Sequence, residues 1–116
     1  MHEMGIADAM LKTVDGVLEG ENVAVRSITV EIGDLSGVVP RFLADCWEAV
    51  AAGTRYEGAK LLLHPVPATA RCEDCQKIFV ADVENLRCTK CGGDRLTPLS
   101  GTDLTIAEVE VEEREA

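Results

Sequence analysis

Four cysteines place the strongest constraint on how this chain can fold. They form two Cys-x2-Cys pairs separated by twelve residues: Cys72, Cys75, Cys88 and Cys91. Two cysteines three positions apart can direct their sulfurs at one centre across a tight turn, and two such turns complete a tetrahedron of thiolates. Iron accepts the same ligands, and the preference for zinc rests on availability rather than geometry. Because four protein ligands leave no open position, the pattern predicts a structural zinc ion, not a catalytic metal.

The cysteine usage also indicates a reducing compartment. A lone Cys-x-x-Cys can be a redox pair, but two pairs at this spacing favour metal binding over disulfide chemistry. The sequence has neither a signal-peptide pattern nor an apolar run approaching the roughly 20 residues of a membrane span. The expected location is therefore the cytoplasm. The fifth cysteine, Cys46, shares an apolar helical face with Phe42 and Val50, which indicates a small core residue.

The negative charge of the chain is unevenly distributed. The formal net charge is −10, yet the segment from Arg71 to Arg95 contains five basic and five acidic residues. The entire excess therefore lies outside the cysteine segment. An acidic body repels phosphate backbones, and the cysteine segment offers only Phe79 as an aromatic residue for base stacking. The sequence thus argues against nucleic acid binding.

Hydrophobic periodicity predicts two helices and three strands outside the cysteine segment. The helices are expected at about 4–19 and 40–52, and the strands at 28–32, 60–64 and 104–111. The apolar faces of the helices are Ala7, Met10, Leu11, Val14, Val17 and Leu18 in the first, and Phe42, Leu43, Cys46, Trp47 and Val50 in the second. In the last strand the apolar phase changes after Ile106, which indicates a bulge or partial burial of both faces.

This order of elements predicts the α/β (α+β) fold class, with two helices on a three-stranded sheet and an inserted four-cysteine zinc-ribbon domain. The expected domains are residues 1–68 plus 101–116, and the insert 69–100. The insert has too few large apolar residues to build a core of its own. We therefore expect metal binding to supply its stability.

The chain begins Met1-His2-Glu3, and a histidine at position 2 is chemically distinctive. The terminal amine, the deprotonated amide of His2 and its imidazole can form two adjoining chelate rings, and nitrogen ligands in a plane suit nickel(II) or copper(II). The bulk of His2 should preserve the initiator methionine. Glu3 could add a carboxylate oxygen or its own amide at the fourth position. The alternative for these three residues alone is a frayed terminus with a solvated histidine.

Several segments together resemble the HypA family of nickel metallochaperones, which insert nickel during maturation of [NiFe]-hydrogenases. The first is Met1-His2-Glu3 followed by a helix, and the second is the stretch from Val30 to Val38, Val-Glu-Ile-Gly-Asp-Leu-Ser-Gly-Val. The others are Gly53-Thr54, Glu57-Gly58-Ala59-Lys60-Leu61, the two cysteine pairs, Ser100-Gly101 and Val109-Glu110-Val111. Two positions depart from the family: Thr89, where proline is frequent, and Asp103, where glutamate is common.

The resemblance implies a nickel-binding α/β domain with a zinc domain inserted before its last strand. It implies nickel ligands at Met1, His2 and Glu3, with Zn2+ as a structural ion and Ni2+ as transferred cargo. The implied partners are a HypB-type nickel-handling GTPase and the [NiFe]-hydrogenase large-subunit precursor. Some members of the family also serve urease maturation. No nucleic acid or membrane partner is expected.

A second class of function stays open on sequence grounds: a zinc-ribbon adaptor that binds protein partners and carries no nickel. A role for His64 as a supplementary nickel or zinc ligand is also open, as is a place for Asp8, Asp34 or Glu57 near the nickel site. Solvated carboxylates are nevertheless the default in so acidic a chain. No Ser-His-Asp set, phosphate loop or pair of catalytic carboxylates can be argued. The sequence therefore predicts a protein that is not an enzyme.

Overall fold

The computed structural model describes residues 2–114, and of His2 the backbone only. Its helices are α1 (His2–Val17) and α2 (Pro40–Ala51). Its strands are β1 (Val23–Gly33), β2 (Lys60–Val66), β3 (Thr69–Cys72), β4 (Ile78–Val80), β5 (Leu96–Ser100) and β6 (Leu104–Glu113). They form two three-stranded sheets, in the orders β2-β1-β6 and β4-β3-β5. The predicted fold class is confirmed, and no helix within residues 2–114 is both long and apolar enough to cross a membrane.

The chain divides into two compact units. The first comprises the described parts of Met1–Val30, Val39–His64 and Thr105–Ala116. The second comprises Glu31–Val38 and Pro65–Leu104, and it includes all four paired cysteines.

Helix α1 begins two residues earlier than the sequence predicts, so the backbones of His2 and Glu3 lie within it. Five of the six predicted apolar residues are buried: Ala7, Met10, Leu11, Val14 and Leu18. Val17 is the exception at 78% exposed. It is the last residue of the helix, and the expectation that it belongs to the core is wrong.

Helix α2 starts at Pro40, whose missing N–H costs nothing in the first turn. Its buried residues are Leu43, Cys46, Trp47 and Ala51. The thiol of Cys46 donates to the carbonyl of Leu43 at 3.4 Å, which confirms a core role for that cysteine. Phe42 is wrongly predicted as core: it is 38% exposed, and the guanidinium of Arg41 lies 5.0 Å from its ring centre.

Two aromatic residues tie the segment after α2 into the first unit. The indole N–H of Trp47 donates to the carbonyl of Ala59 at 3.0 Å. Tyr56 is 1% exposed and packs edge-on against Trp47, with ring centres 6.4 Å apart. Its hydroxyl lies 2.6 Å from a carboxylate oxygen of Asp15 and 3.1 Å from the carbonyl of Leu11, both on α1. The polar tip of a buried ring is thus satisfied by the neighbouring helix.

The strands of the first sheet are longer than predicted. In the central strand β1, the alternation of buried side chains is interrupted between Val25 and Ile28. Strict alternation therefore predicts only the second half of the strand. Strand β2 continues through Pro65, where the sequence predicts an end. The continuation is tolerated because β2 lies at an edge of its sheet within residues 2–114, and edge strands are where sheets accept proline.

The second unit does have a small core, contrary to the expectation from its composition. Its sheet is antiparallel, with Ala70 of β3 opposite Phe79 of β4 and Pro98 of β5. The buried cluster is Ala68, Ala70, Cys72, Phe79, Ala81 and Cys88, and Leu35, Cys75 and Leu96 pack against it. Small residues and cysteines fill this interior, so a search for large apolar side chains misses it.

Two glycines allow backbones in the second unit to approach closely. A Cβ added to Gly33 would lie 2.8 Å from the Cα of Gly101, and one added to Gly101 would lie 2.7 Å from the Cβ of Ala68. Gly101 also has φ +76°, which disfavours residues with a side chain. The backbone N–H of Leu35 donates to the carbonyl of Gly101 at 2.8 Å. Any larger residue at either glycine would separate these segments.

Candidate metal sites

The four paired cysteines converge on one point. All four sulfurs lie within 4.8 Å of one another, with Cys72 and Cys91 at 3.6 Å and Cys75 and Cys88 at 3.5 Å. A tetrahedron with Zn–S bonds of about 2.3 Å has edges of about 3.8 Å, which these distances bracket. No other ligand type is present, and the set therefore fits a closed structural zinc site. Among residues 2–114 this is the only group of three or more candidate ligands that lie together.

The two Cys-x2-Cys turns repeat one backbone arrangement. The N–H of the first cysteine donates to a carbonyl five residues later: Cys72 to Lys77 at 2.9 Å, and Cys88 to Gly93 at 2.8 Å. The carbonyl of the first cysteine accepts from the residue after the second cysteine, and that residue has a positive φ in both turns. It is Gln76 (φ 67°) in the first turn and Gly92 (φ 75°) in the second. Glycine suits this position because it adopts a positive φ without strain.

Backbone N–H groups also point at the sulfurs. The amides of Cys91 and Lys90 lie 3.5 and 3.3 Å from the sulfur of Cys88, and they lower the pKa of that thiol to about 6 against the opposing effect of burial. At Cys91 the N–H of Gly93 lowers the pKa, but the adjacent sulfur of Cys72 and burial outweigh it and raise the pKa to about 12. Sulfurs this close cannot all ionise without a cation between them. A divalent cation removes that repulsion and holds all four as thiolates.

Polar side chains link the segments that carry the cysteines. Arg95 donates from Nε at 3.0 Å and from a terminal nitrogen at 2.5 Å to the carboxylate of Asp74, which connects the first turn to the chain after the second. The hydroxyl of Thr97, at 2.8 Å, and the guanidinium of Arg71, at 3.1 Å, hold the pKa of Glu73 below its ordinary value. A Cβ at Gly93 would lie 2.8 Å from a carboxylate oxygen of Asp74, so a side chain there would displace the carboxylate that Arg95 binds.

The second predicted metal site lies at the amino terminus. Met1 and the side chain of His2 are outside the described residues. Glu3 is 5% exposed, and its carboxylate accepts a hydrogen bond from the N–H of Val39 at 3.4 Å. Val39 is the residue that precedes α2. The carboxylate of Glu3 therefore binds the start of the neighbouring helix.

The supplementary ligands considered from sequence form no group of three or more within residues 2–114. His64 is exposed on β2. Asp8 forms an exposed ion pair with Lys12 at 3.1 Å, and Glu57 accepts the N–H of Gly53 at 3.2 Å. These contacts are local and indicate ordinary surface roles.

Sequence reasoning missed two residues that shape these sites. Gln76 occupies the positive-φ position that Gly92 fills in the second turn. Because the Cys-x2-Cys pattern repeats, the equivalence of these two positions was visible in the sequence. Val39 donates to Glu3 from 36 positions away, and no local pattern indicates such a contact.

Comparison with known proteins adds the family. A family model described as "Hydrogenase/urease nickel incorporation, metallochaperone, hypA" matches residues 1–111. The chain is similar to hydrogenase maturation factor HypA of Streptomyces avermitilis, with 41% identity over 116 residues that cover 97% of this chain and 88% of the relative. The HypA of Geotalea uraniireducens is 39% identical over 112 residues, with coverage of 97% and 100%.

Solved structures agree on the fold. The solution structure of the Ni metallochaperone HypA from Helicobacter pylori matches with a TM-score of 0.65 and 14% identity, covering 97% of this chain and 98% of that one. A second solution structure, of a HypA protein, matches with a TM-score of 0.58 and 15% identity, covering 96% and 93%. At such low identity these likenesses concern the fold alone.

Proposed function

Because this chain belongs to the HypA family of nickel metallochaperones, we propose that it binds one nickel(II) ion at its amino terminus and delivers it during maturation of a [NiFe]-hydrogenase. The ion is cargo, and its ligands are the amine of Met1, the amide and imidazole nitrogens of His2, and a fourth group from Glu3. Nitrogen ligands in a plane suit nickel(II).

The start of α1 at His2 is the observation that carries the proposal. The first four N–H groups of a helix have no acceptor within the helix. The amides of His2 and Glu3 are among them, so each can lose its proton to nickel without breaking a helical hydrogen bond. A motif placed deeper in the helix would require the helix to unwind first.

The burial of Glu3 supports its amide, rather than its carboxylate, as the fourth ligand. The carboxylate already accepts the N–H of Val39. Withdrawing it would break that hydrogen bond, whose net worth is about 0.5–1.5 kcal/mol. In this arrangement the Glu3 side chain fixes the first turn of α1, and its amide nitrogen serves as the fourth ligand.

Transfer follows from the placement of the ligands at a chain terminus. The Met1 amine is joined to the chain on one side only, so ligand exchange can begin there. Ligands of a receiving protein can then replace the remaining ligands one at a time. We propose that the receivers are a HypB-type GTPase and the hydrogenase large-subunit precursor, with urease maturation as a further route. We also propose that Cys72, Cys75, Cys88 and Cys91 hold zinc permanently and that this ion takes no part in transfer.

The test is calorimetric nickel titration of three zinc-loaded proteins: the untagged chain, His2→Ala, and a chain extended at the amino terminus. Only the untagged chain should bind one nickel tightly, because the extension converts the Met1 amine into an amide. A histidine-free carboxy-terminal extension is the matched control and should bind normally. Equal binding by all four proteins would refute the terminal site and favour an adaptor that carries no nickel.

A further inference from the structure

Strand β6 forms an exposed edge of the first sheet. Within residues 2–114 the sheet order is β2-β1-β6, and no further strand lies beyond β6. An edge strand presents unpaired N–H and C=O groups that can pair with another chain. Proteins often block such edges with charged residues, and β6 is rich in glutamate. Taken alone, the edge could therefore be a strand that its glutamates protect from pairing with other chains.

An apolar groove runs beside this edge, and charge does not account for it. The groove has a volume of about 420 Å³ and lies between β6 and the last turns of α1, within the first unit. Its lining is predominantly apolar: Val14, Val17, Leu18, Ile106, Ala107, Val109 and Val111, with Thr13 and Glu108. Val17 and Val111 are 78% and 41% exposed. A strand edge and an apolar groove side by side are the two features that strand addition uses.

The charges on β6 select among possible occupants. The strand carries Glu108, Glu110, Glu112 and Glu113 and no basic residue. Of these, only Glu110 has an ion pair within the described part of the chain, a 3.7 Å contact with Arg26 whose side chains are both 60% exposed. An added strand of a second copy would bring the same glutamates face to face, and like charges directly opposite each other destabilise a pair of strands. A segment with positive charges would match them.

We propose that the α1–β6 groove binds an extended segment of a partner protein in which apolar residues alternate with lysine or arginine. The segment adds a fourth strand to the sheet at β6. Its apolar side chains enter the groove against Val17 and Val111, and its cationic side chains meet the glutamates. This interaction requires no nickel and stands independently of the proposed cargo site.

The probe is a short fluorescent peptide that alternates lysine and valine, added to the zinc-loaded, nickel-free chain. Fluorescence anisotropy measures binding, and amide chemical shifts of isotope-labelled protein locate it. We expect saturable binding, with shifts concentrated on β6 and the last turns of α1. A peptide alternating lysine and serine tests the apolar contribution, and one alternating glutamate and valine tests the charge. Both should bind at least about tenfold more weakly.

Surface variants give a matched test in the protein. Val17→Glu should weaken binding about tenfold without loss of fold, since the residue is exposed; Val83→Glu, at an exposed valine of the second unit, should not. The double variant Glu108→Lys with Glu112→Lys should abolish binding of the lysine–valine peptide and create binding of the glutamate–valine peptide. Glu84→Lys with Asp94→Lys changes the net charge equally and should leave affinity unchanged.

Three results would overturn the proposal. One is absence of binding by the lysine–valine peptide, and another is equal loss of affinity in both charge-reversed double variants, which would indicate attraction by net charge alone. The third is concentration-dependent dimerisation of the free chain through β6, detected by sedimentation and by loss of dimer in Val17→Glu.

Discussion

Two residues in equivalent backbone positions differ in how well they suit those positions. Gly92 and Gln76 each follow the second cysteine of a turn, and each has φ near 70°. A residue with a Cβ in this region carries roughly 1–2 kcal/mol of strain, which glycine avoids. Gln76 recovers part of that cost because its side-chain amide donates to the carbonyl of Glu73 at 2.9 Å.

This asymmetry predicts opposite outcomes for two exchanges. Gly92→Ala should weaken zinc binding by roughly 5- to 30-fold, because folding of the turn and binding of the ion are one event. Gln76→Gly should leave zinc affinity unchanged or slightly improved. Competition with a chromogenic chelator measures both. If Gln76→Gly weakened binding as strongly as Gly92→Ala, backbone strain would not be the relevant difference between the turns.

Nickel affinity should depend on pH through the nitrogen ligands at the amino terminus. Each of them must lose a proton to bind, so affinity should fall as pH drops through roughly 8 to 6.5, the ordinary range of a terminal amine and an imidazole. Glu3→Gln keeps the amide and the shape of the side chain, and it should preserve this pH profile if the carboxylate is not a ligand. Calorimetric titration across that range gives the profile for both proteins. A shift of the midpoint in Glu3→Gln would assign the carboxylate to nickel instead.

Among the elements, the contact between Tyr56 and α1 joins the loop after α2 to the first helix. Burial and the hydrogen bond to Asp15 raise the pKa of Tyr56 above its ordinary value. A pKa raised by folding means that the stabilisation is fully present below about pH 10 and is lost as pH rises through the raised pKa. The first unit should therefore become less stable in alkali.

Tyr56→Phe removes this link and tests it. At neutral pH the variant should lose about 0.5–1.5 kcal/mol of unfolding free energy, the net worth of a hydrogen bond. Above pH 10 its stability should decline less steeply than that of the parent chain. Urea unfolding followed by the fluorescence of Trp47, the single tryptophan, gives the unfolding free energy. Parallel pH dependences in the two proteins would show that another group causes the alkaline loss.

The helices were predictable because their apolar residues recur at helical spacing, with Pro40 at one start. The strands were less predictable where tertiary position overrides pattern. Strand β1 changes phase after Val25, and β2 continues through Pro65 because it lies at an edge. The sheet of the second unit is built on alanines and cysteines, which carry little strand signal. The cysteine cluster could be read from spacing alone, whereas the contact between Glu3 and Val39 exists only in the folded chain.

At the scale of the whole molecule, the question is which residues fold together with the cysteines. The sequence places the insert at 69–100, and those bounds stay a prediction. In the structure the second unit also contains the loop after β1. The N–H groups of Asp34 and Leu35 donate to the carbonyls of Val66 and Gly101 at 2.9 and 2.8 Å, and Leu35 packs on the small core.

Removal of zinc distinguishes the predicted insert 69–100 from the larger second unit, which includes the loop after β1. Structural zinc contributes roughly 10–16 kcal/mol in small domains, so Cys88→Ala should unfold the unit that depends on it. We expect the amides of Asp34 and Leu35 to lose hydrogen-exchange protection together with those of β3. The amide of Val25, which donates to the carbonyl of Arg55 at 2.9 Å in the first unit, should keep its protection.

Cys46→Ala is the matched control, because it removes a buried cysteine outside the cluster. It should cost about 1 kcal/mol and leave one zinc per chain and every protected amide of the second unit intact. Trp47 fluorescence should be unchanged in Cys88→Ala, since the indole lies in the first unit. If Asp34 and Leu35 instead remained protected while β3 exchanged freely, the loop after β1 would belong to the α/β body. The zinc-dependent segment would then be confined to the bounds that the sequence predicts.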